Sequence, residues 1–335
     1  MRSVQWALVA ALSLAWMGAA AADPVKIRLA YVVPVSNWAT MLFQKDGLAK
    51  HLGTSYTYEP VHFQGTPQMV QAHAVDELEI GDHGFSSLVF TVANAHLDMR
   101  IIADEIQDGT EGYFSNAYGV RKDGPIKTVE DLKGKVLAVN IKGSVVDIFM
   151  RAMLRKHNVS DSEITVVEAP TPAMAAMLAE KKVDLAVFPL PFAADPKVKE
   201  ATRMLFQERD VQGVSPLAFW AVRASFIEKH RAALVDFLED ALRNERWYLD
   251  PANHKEAMEI ASKVGKQPAA FYDSWLFVKK GEEGDYYRDP NGVPNLDAIQ
   301  RAVNMQRDLG YSKDVIDVQK YTDLSLIREA AARLK

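Results

Sequence analysis

Short apolar runs that end at proline, glycine or serine, each followed by a segment of helical length, recur along most of this 335-residue chain. That rhythm constrains the fold more than any other feature, because strands alternating with helices build a mostly parallel sheet covered by helices. Val25–Val33 alternates like a strand and stops at Pro34, and Ser36 and Asn37 are good caps for a helix predicted from Trp38 to about His51. Tyr56–Phe63 reads as a strand, Thr66–Val75 as a helix, Glu79–His83 as a short strand broken at Gly84, and Ser86 to about Asn94 as a helix. Arg100–Asp104 and Asn116–Arg121 are further strands. The middle third repeats the pattern, with strands at Lys135–Asn140, Glu163–Glu168, Asp184–Phe188 and Leu217–Arg223. Its helices fall at Thr128–Leu132, Val145–His157 and Pro172–Lys181, so this stretch is a second α/β lobe. The last third is mainly helical, over Phe226–Asp250, Asn253–Val264 and Leu296–Leu309. Between these, the polar, turn-rich Gly281–Pro294 is predicted to be a surface loop.

The N-terminus sets a compartment. Arg2, the apolar stretch Val4–Met17 and the small residues Gly18–Ala22 before Asp23 have the order of a cleaved secretory signal peptide over residues 1–22. No later apolar run reaches the ~20 residues that span a bilayer. The formal net charge is −5 and no Lys/Arg-rich run occurs, which argues against nucleic acid as a partner. There is no cysteine, so thiol catalysis, disulfides and cysteine zinc sites are excluded.

Enzyme motifs are missing as well. There is no P-loop, no GxGxxG and no HExxH, and Gly84-Phe85-Ser86-Ser87-Leu88 fails the last position of a nucleophile elbow. His62, His73, His83 and His96 lie too far apart in sequence to share one helix face as metal ligands. What remains is a set of strand ends aimed at helix N-termini: Pro34–Trp38, Asp82–Ser86, Ile141–Ser144 and Phe188–Phe192. Ligands of parallel α/β sheets bind outside such carboxyl ends, and a helix N-terminus offers free N–H groups to an anion. Two of these turns fall in each lobe, so a cleft between the lobes would gather them around one ligand.

The matching residues are spread over the chain: Ile27–Tyr31, Gly47–Gly53, Phe63–Thr66, Glu79–Gly84, the run Ile126–Val139 with Lys142-Gly143-Ser144 close behind, Val183–Ala186 before Pro191-Phe192, and Gln306–Gly310. Taken in this order they resemble the periplasmic solute-binding proteins of ABC importers, in the branch that includes sulfonate, taurine and nitrate binders and binders of thiamine-pyrimidine precursors. The resemblance implies a two-lobe, type II-like α/β fold, each lobe a mostly parallel sheet flanked by helices, closing on ligand about two crossing strands. It implies lobe I over 23–117, lobe II over 118–221 and a return to lobe I over 222–335, with crossings near Ser115–Gly119 and Leu217–Val222. By position, Ser36, Asn37, Trp38, His83, Gly84 and Phe85 would face the ligand from one lobe. Gly143, Ser144, Phe188 and Phe192 would do so from the other, with Tyr118 and Trp220 near the hinge. Three departures from the family pattern are pocket-side: Val32-Val33-Pro34 in place of the usual Gln, Pro189-Leu190-Pro191-Phe192 in place of a Trp-Asp-Pro-Phe box, and Pro172 in place of an Asp.

Trp38 can stack on a ligand or pack in the core, His83 can donate to an acid group or be a plain loop residue, and Trp220 favours the core. Aromatic walls without the acidic box point to an organic anion, a sulfonate or aromatic carboxylate, with a thiamine-type pyrimidine precursor or other heterocycle as the alternative. Gly143 and Ser144, with His83 and Gly84 opposite, are expected to hold the charged end; Asp147 also fits a simple capping box. The implied protein is a periplasmic monomer that needs no cofactor and delivers a small-molecule ligand to a permease with its ATPase, or presents it to a sensor.

Overall fold

The computed structural model describes residues 23–93 and 97–335; the signal peptide expected over 1–22 lies outside the described residues. Ten strands follow in chain order. β1 is Val25–Tyr31, β2 Tyr56–His62, β3 Ile80–His83 and β4 Met99–Asp108. β5 is Ala117–Arg121, β6 Val136–Val139, β7 Thr165–Glu168, β8 Leu185–Phe188, β9 Thr202–Gln207 and β10 Ser215–Arg223. They form two five-stranded sheets, ordered β2-β1-β3-β10-β4 and β7-β6-β8-β5-β9. In each sheet four strands run one way; the reversed strand is β10 in the first and β5 in the second, in each case the first strand after the chain has changed sheets.

The chain crosses between sheets over 109–116 and 208–214. The first crossing overlaps the expected Ser115–Gly119. The second does not match Leu217–Val222: those residues lie inside β10, paired with β3 through Trp220–Asp82 and with β4 through Trp220–Ala103. The strand β9 has no counterpart in the sequence reading.

The helix expected from Trp38 to His51 is a single short turn, Trp38–Thr40, followed by irregular chain. Val35 and Phe43 take left-handed backbone, φ 70° and 63°, which ends helical geometry on both sides. The other long helices form where the apolar spacing placed them, including Val145–Lys156 and Ala224–Leu249, which is broken by a kink at His230 (φ −132°, ψ 27°). The latter buries Leu234, Phe237, Leu238 and Leu242 against the first sheet, in a core with Ile27, Leu29 and Trp220. The segment Gly281–Pro294 is not a surface loop: Asp285, Tyr286 and Arg288 within it are buried. No helix of the described residues is long and apolar enough to cross a membrane.

Candidate functional site between the lobes

The carboxyl ends of β1, β3, β6 and β8 face one another across the gap between the sheets. There they enclose a cavity of about 100 Å³, lined from the first sheet's side by Val32, Ser36, Asn37, Thr66, Asp82 and Gly84. Asn140, Ser144, Val145, Val146, Thr171 and Leu190 line it from the other side. Asn116 of the first crossing and Tyr286 of the C-terminal third complete it.

Four of the expected residues meet here: Ser36, Asn37, Gly84 and Ser144. Each sits in a turn after a strand, and each is engaged. Asn37 Oδ1 accepts from the backbone N–H groups of Val32 and Val33, closing the turn after β1. Ser36 Oγ donates to Leu190 O at 2.8 Å, a bond between the lobes. Ser144 Oγ donates to Asn140 Oδ1 at 2.7 Å, so it does not cap the helix that follows it, and Asn140 Nδ2 donates across the gap to Gln64 O at 2.8 Å. Gly84 is there because nothing larger fits: a Cβ would stand 1.9 Å from Val145 Cγ2 of the opposite lobe.

The other eight stand away from the cavity. His83 follows Asp82 on β3, and successive strand residues point to opposite faces, so Asp82 lines the cavity while His83 is buried behind it. The His83 ring lies 5.1 Å from that of His73 with neither nitrogen bonded, and burial pushes its pKa down to about 3. It is therefore neutral and supplies no positive charge. Trp38 is core, stacked on Phe277 at 5.4 Å with the Arg288 guanidinium 4.7 Å from its ring. Trp220 is core beside Phe237. Phe85 packs edge-on against Phe149, and Tyr118 stacks on Phe206 with its hydroxyl donating to Val146 O. Phe188 is buried against Gly119, and Phe192 lies half-buried on the same core. Gly143 holds its turn with φ 79°, where a side chain would be strained, and its N–H donates to Asp147 Oδ2 at 2.8 Å. The walls are therefore aliphatic, and Tyr286 is the aromatic residue that reaches the cavity.

The charge on the wall is also different from the expectation. Among the described residues no lysine, arginine or histidine lines the cavity, and its carboxyl is Asp82. Asp82 is 4% exposed and its Oδ1 has no hydrogen-bond partner. Burial first, then the neighbouring Glu105 carboxyl, hold Asp82 well above the ordinary carboxylate range. The helix N-terminus at Val145 already has an acid beside it, since Asp147 sits in its first turn and binds both Gly143 N and Arg151 Nε.

Asn116, Asn140 and Tyr286 were not identified from sequence, and Asp82 was marked only as the start of a strand-end turn, not as a ligand-facing residue. Strand parity could have found Asp82; nothing local to Tyr286 marks it. Its hydroxyl donates to Asn116 Oδ1 at 2.5 Å and accepts from Leu190 N at 3.0 Å, fastening the C-terminal third to the second lobe and to the first crossing.

The NMT1-like family model matches residues 20–262. No curated protein matches the chain. Among solved structures it is similar to the periplasmic aliphatic sulphonate binding protein SsuA from Escherichia coli, with 19% identity and a TM-score of 0.66 over 89% of this chain and 92% of that one. It is similar to the periplasmic nitrate-binding protein NrtA from Synechocystis PCC 6803, with 14% identity and a TM-score of 0.71 over 93% and 89%. The desulfurization enzyme DSZB has the same fold, with 13% identity and a TM-score of 0.62 over 93% of this chain and all of that one. Two helix-flanked sheets in this arrangement are the two-lobe fold of periplasmic binding proteins.

Proposed function

The chain belongs to the NMT1-like family, and from that premise we propose that it is the extracytoplasmic solute-binding subunit of an ABC importer. Residues 1–22 direct export, the processed monomer holds a small organic solute between its lobes, and the crossings at 109–116 and 208–214 serve as the hinge. The observation that carries this reading is the cavity itself, built from strand ends of both lobes and bridged by the Ser36–Leu190 and Asn140–Gln64 bonds. A site divided in this way is completed only when the lobes close, which is how a clamp couples occupancy to shape. Binding is favoured over catalysis because the hydroxyls of Ser36 and Ser144 are bonded to a carbonyl and to an amide, with no base beside either.

The wall favours the second of the two ligand classes raised by the sequence. A sulfonate or carboxylate would find no lysine, arginine or histidine on this wall to neutralise it. The test is a thermal-shift screen of residues 23–335 against sulfonates, aromatic acids, amines and heterocycles. A solute at 100 times its dissociation constant adds about 2.7 kcal/mol of stability. A panel that leaves both the melting temperature and the solution scattering curve unchanged would reject the clamp.

A further inference from the structure

We infer that Asn37 is the residue that reads the ligand, and that the solute is a compact, uncharged ring bearing a hydrogen-bond acceptor, either a carbonyl oxygen or an unprotonated ring nitrogen. This rests on the solute-binding reading above and names its substrate class. Asn37 Oδ1 accepts from Val32 N at 3.0 Å and Val33 N at 2.8 Å, which fixes which end of the amide is oxygen. Its Nδ2 is left with two N–H donors and makes no hydrogen bond among the described residues, although Asn37 is only 5% exposed and lines the cavity. Asp82 Oδ1, by contrast, is closed off against the Glu105 carboxyl. A buried side chain on the cavity wall with one donor group unspent offers it to whatever occupies the cavity, and that donor is costly to bury until an acceptor reaches it.

The other side chains on the wall narrow the choice. Ser36 Oγ and Ser144 Oγ donate to Leu190 O and Asn140 Oδ1. Asn140 Nδ2 is spent on Gln64 O, and Asn116 gives Nδ2 to Glu208 and accepts from Tyr286 at Oδ1. Thr66 Oγ1 accepts from Gly84 N at 3.2 Å, so its own hydrogen is still available to donate. On the opposite lobe the helix Val145–Lys156 opens on the cavity at Val145 and Val146 without a side-chain cap, which leaves first-turn N–H groups unspent. An acceptor on the ligand therefore answers donors from both lobes. It is uncharged because the wall has no lysine, arginine or histidine, Asp147 already sits in that helix's first turn, and the Asp82 and Glu105 carboxyls lie together beside Asn37's turn. An anion would be desolvated there without a counter-charge, and an amine would leave Asn37 Nδ2 unanswered. A cavity of about 100 Å³, against the ~150 Å³ that holds benzene, limits the body to about one ring, resting on Val32, Ile106, Val187, Leu190 and Leu217.

The experiment compares matched probes on residues 23–335 by ligand-observed NMR titration and thermal shift: 2-pyrrolidinone with pyrrolidine, and benzamide with benzoate and benzylamine. The neutral amide of each set should bind at least about fivefold tighter than its charged counterparts. The deciding variant is Asn37→Asp, which keeps an oxygen for Val32 N and Val33 N and replaces only the unspent amide nitrogen. It should weaken the amides by about 5- to 100-fold and leave the amines no weaker, so the preference for amides over amines is lost. A purely structural Asn37 would move every probe alike. Because the parent alone shows the preference, the result does not depend on the variant folding. Amides no tighter than the acid or the amines in the parent, full amide affinity in Asn37→Asp, or an equal loss for every probe overturns the assignment and leaves the solute-binding reading standing. Failure of all five probes also overturns the assignment; the solute-binding reading falls with it only if the wider panel fails too.

Discussion

Gly84 offers a direct way to ask whether closure and binding are the same event. Replacing it by alanine puts a methyl 1.9 Å from Val145 Cγ2, where carbon contacts settle near 3.5–4.0 Å. The next neighbours are tolerable, Val145 Cβ at 3.4 Å and Leu217 O at 3.5 Å, so the clash is with one methyl group on the opposite lobe. Either Val145 leaves the χ1 well that a helix strongly prefers, at about 0.5–1.5 kcal/mol, or the lobes stay apart by roughly 1.6 Å. Both penalties fall on the closed form alone. Gly84→Ala should therefore weaken the solute found by the thermal-shift panel by about 2- to 12-fold if the side chain yields, and by more if the lobes part. Calorimetry of Gly84→Ala, Val145→Ala and the double variant separates this from local damage. Val145→Ala removes the opposing methyl and should restore affinity in the double variant, giving a coupling of at least about 0.5 kcal/mol. Parent-like affinity in Gly84→Ala, or no recovery in the double variant, would refute the reasoning.

Three further outcomes are expected. Tyr286→Phe leaves Leu190 N and Asn116 Oδ1 without their shared hydroxyl and should cost about 1–3 kcal/mol in urea unfolding. Ser144→Ala removes a side-chain bond to Asn140 and no cap, so its loss of about 0.5–1.5 kcal/mol should vanish in an Asn140→Ala background. Burial raises Asp108 to about 7, so the folded chain keeps a proton that the unfolded chain releases near pH 4. Its contribution to stability is full below pH 4 and is lost as pH rises through 7, about 1.4 kcal/mol of it between pH 6 and pH 8. Asp108→Asn should flatten that segment of the urea-midpoint profile. His83, lowered to about 3, acts in the opposite sense, but only as pH falls from about 6.5 towards 3.

The strand-to-helix rhythm carried the architecture because each apolar run was bounded by a turn residue; β1, β6 and β8 lie within a few residues of where the pattern put them. It failed where geometry, not composition, decides. Trp38–His51 has the makeup of a helix, yet left-handed backbone at Val35 and Phe43 breaks it. The strand β9, Thr202–Gln207, lies at the edge of its sheet and is only partly buried, so it lacks a clean apolar stripe. At the site, the turns were legible and the side chains were not. Ser36, Asn37, Gly84 and Ser144 follow from strand ends, but which of Asp82 and His83 faces the ligand depends on one step of alternation along β3. Tyr286 arrives from a segment whose polarity marks it as solvent-facing, and only the tertiary fold draws it inward.

The placement of β10 between β3 and β4 also governs the order in which the molecule can be assembled. The second sheet is complete once residue 207 is available, since β5 to β9 are consecutive. The first sheet stays in two pieces until then: β4 has no strand beside it until residues 215–223 enter, more than a hundred positions later. Pairing across so long a loop is slow to form. A chain emerging from its N-terminus thus finishes its inner lobe first, while the outer one waits with an unpaired edge on β3 for its own continuation to return.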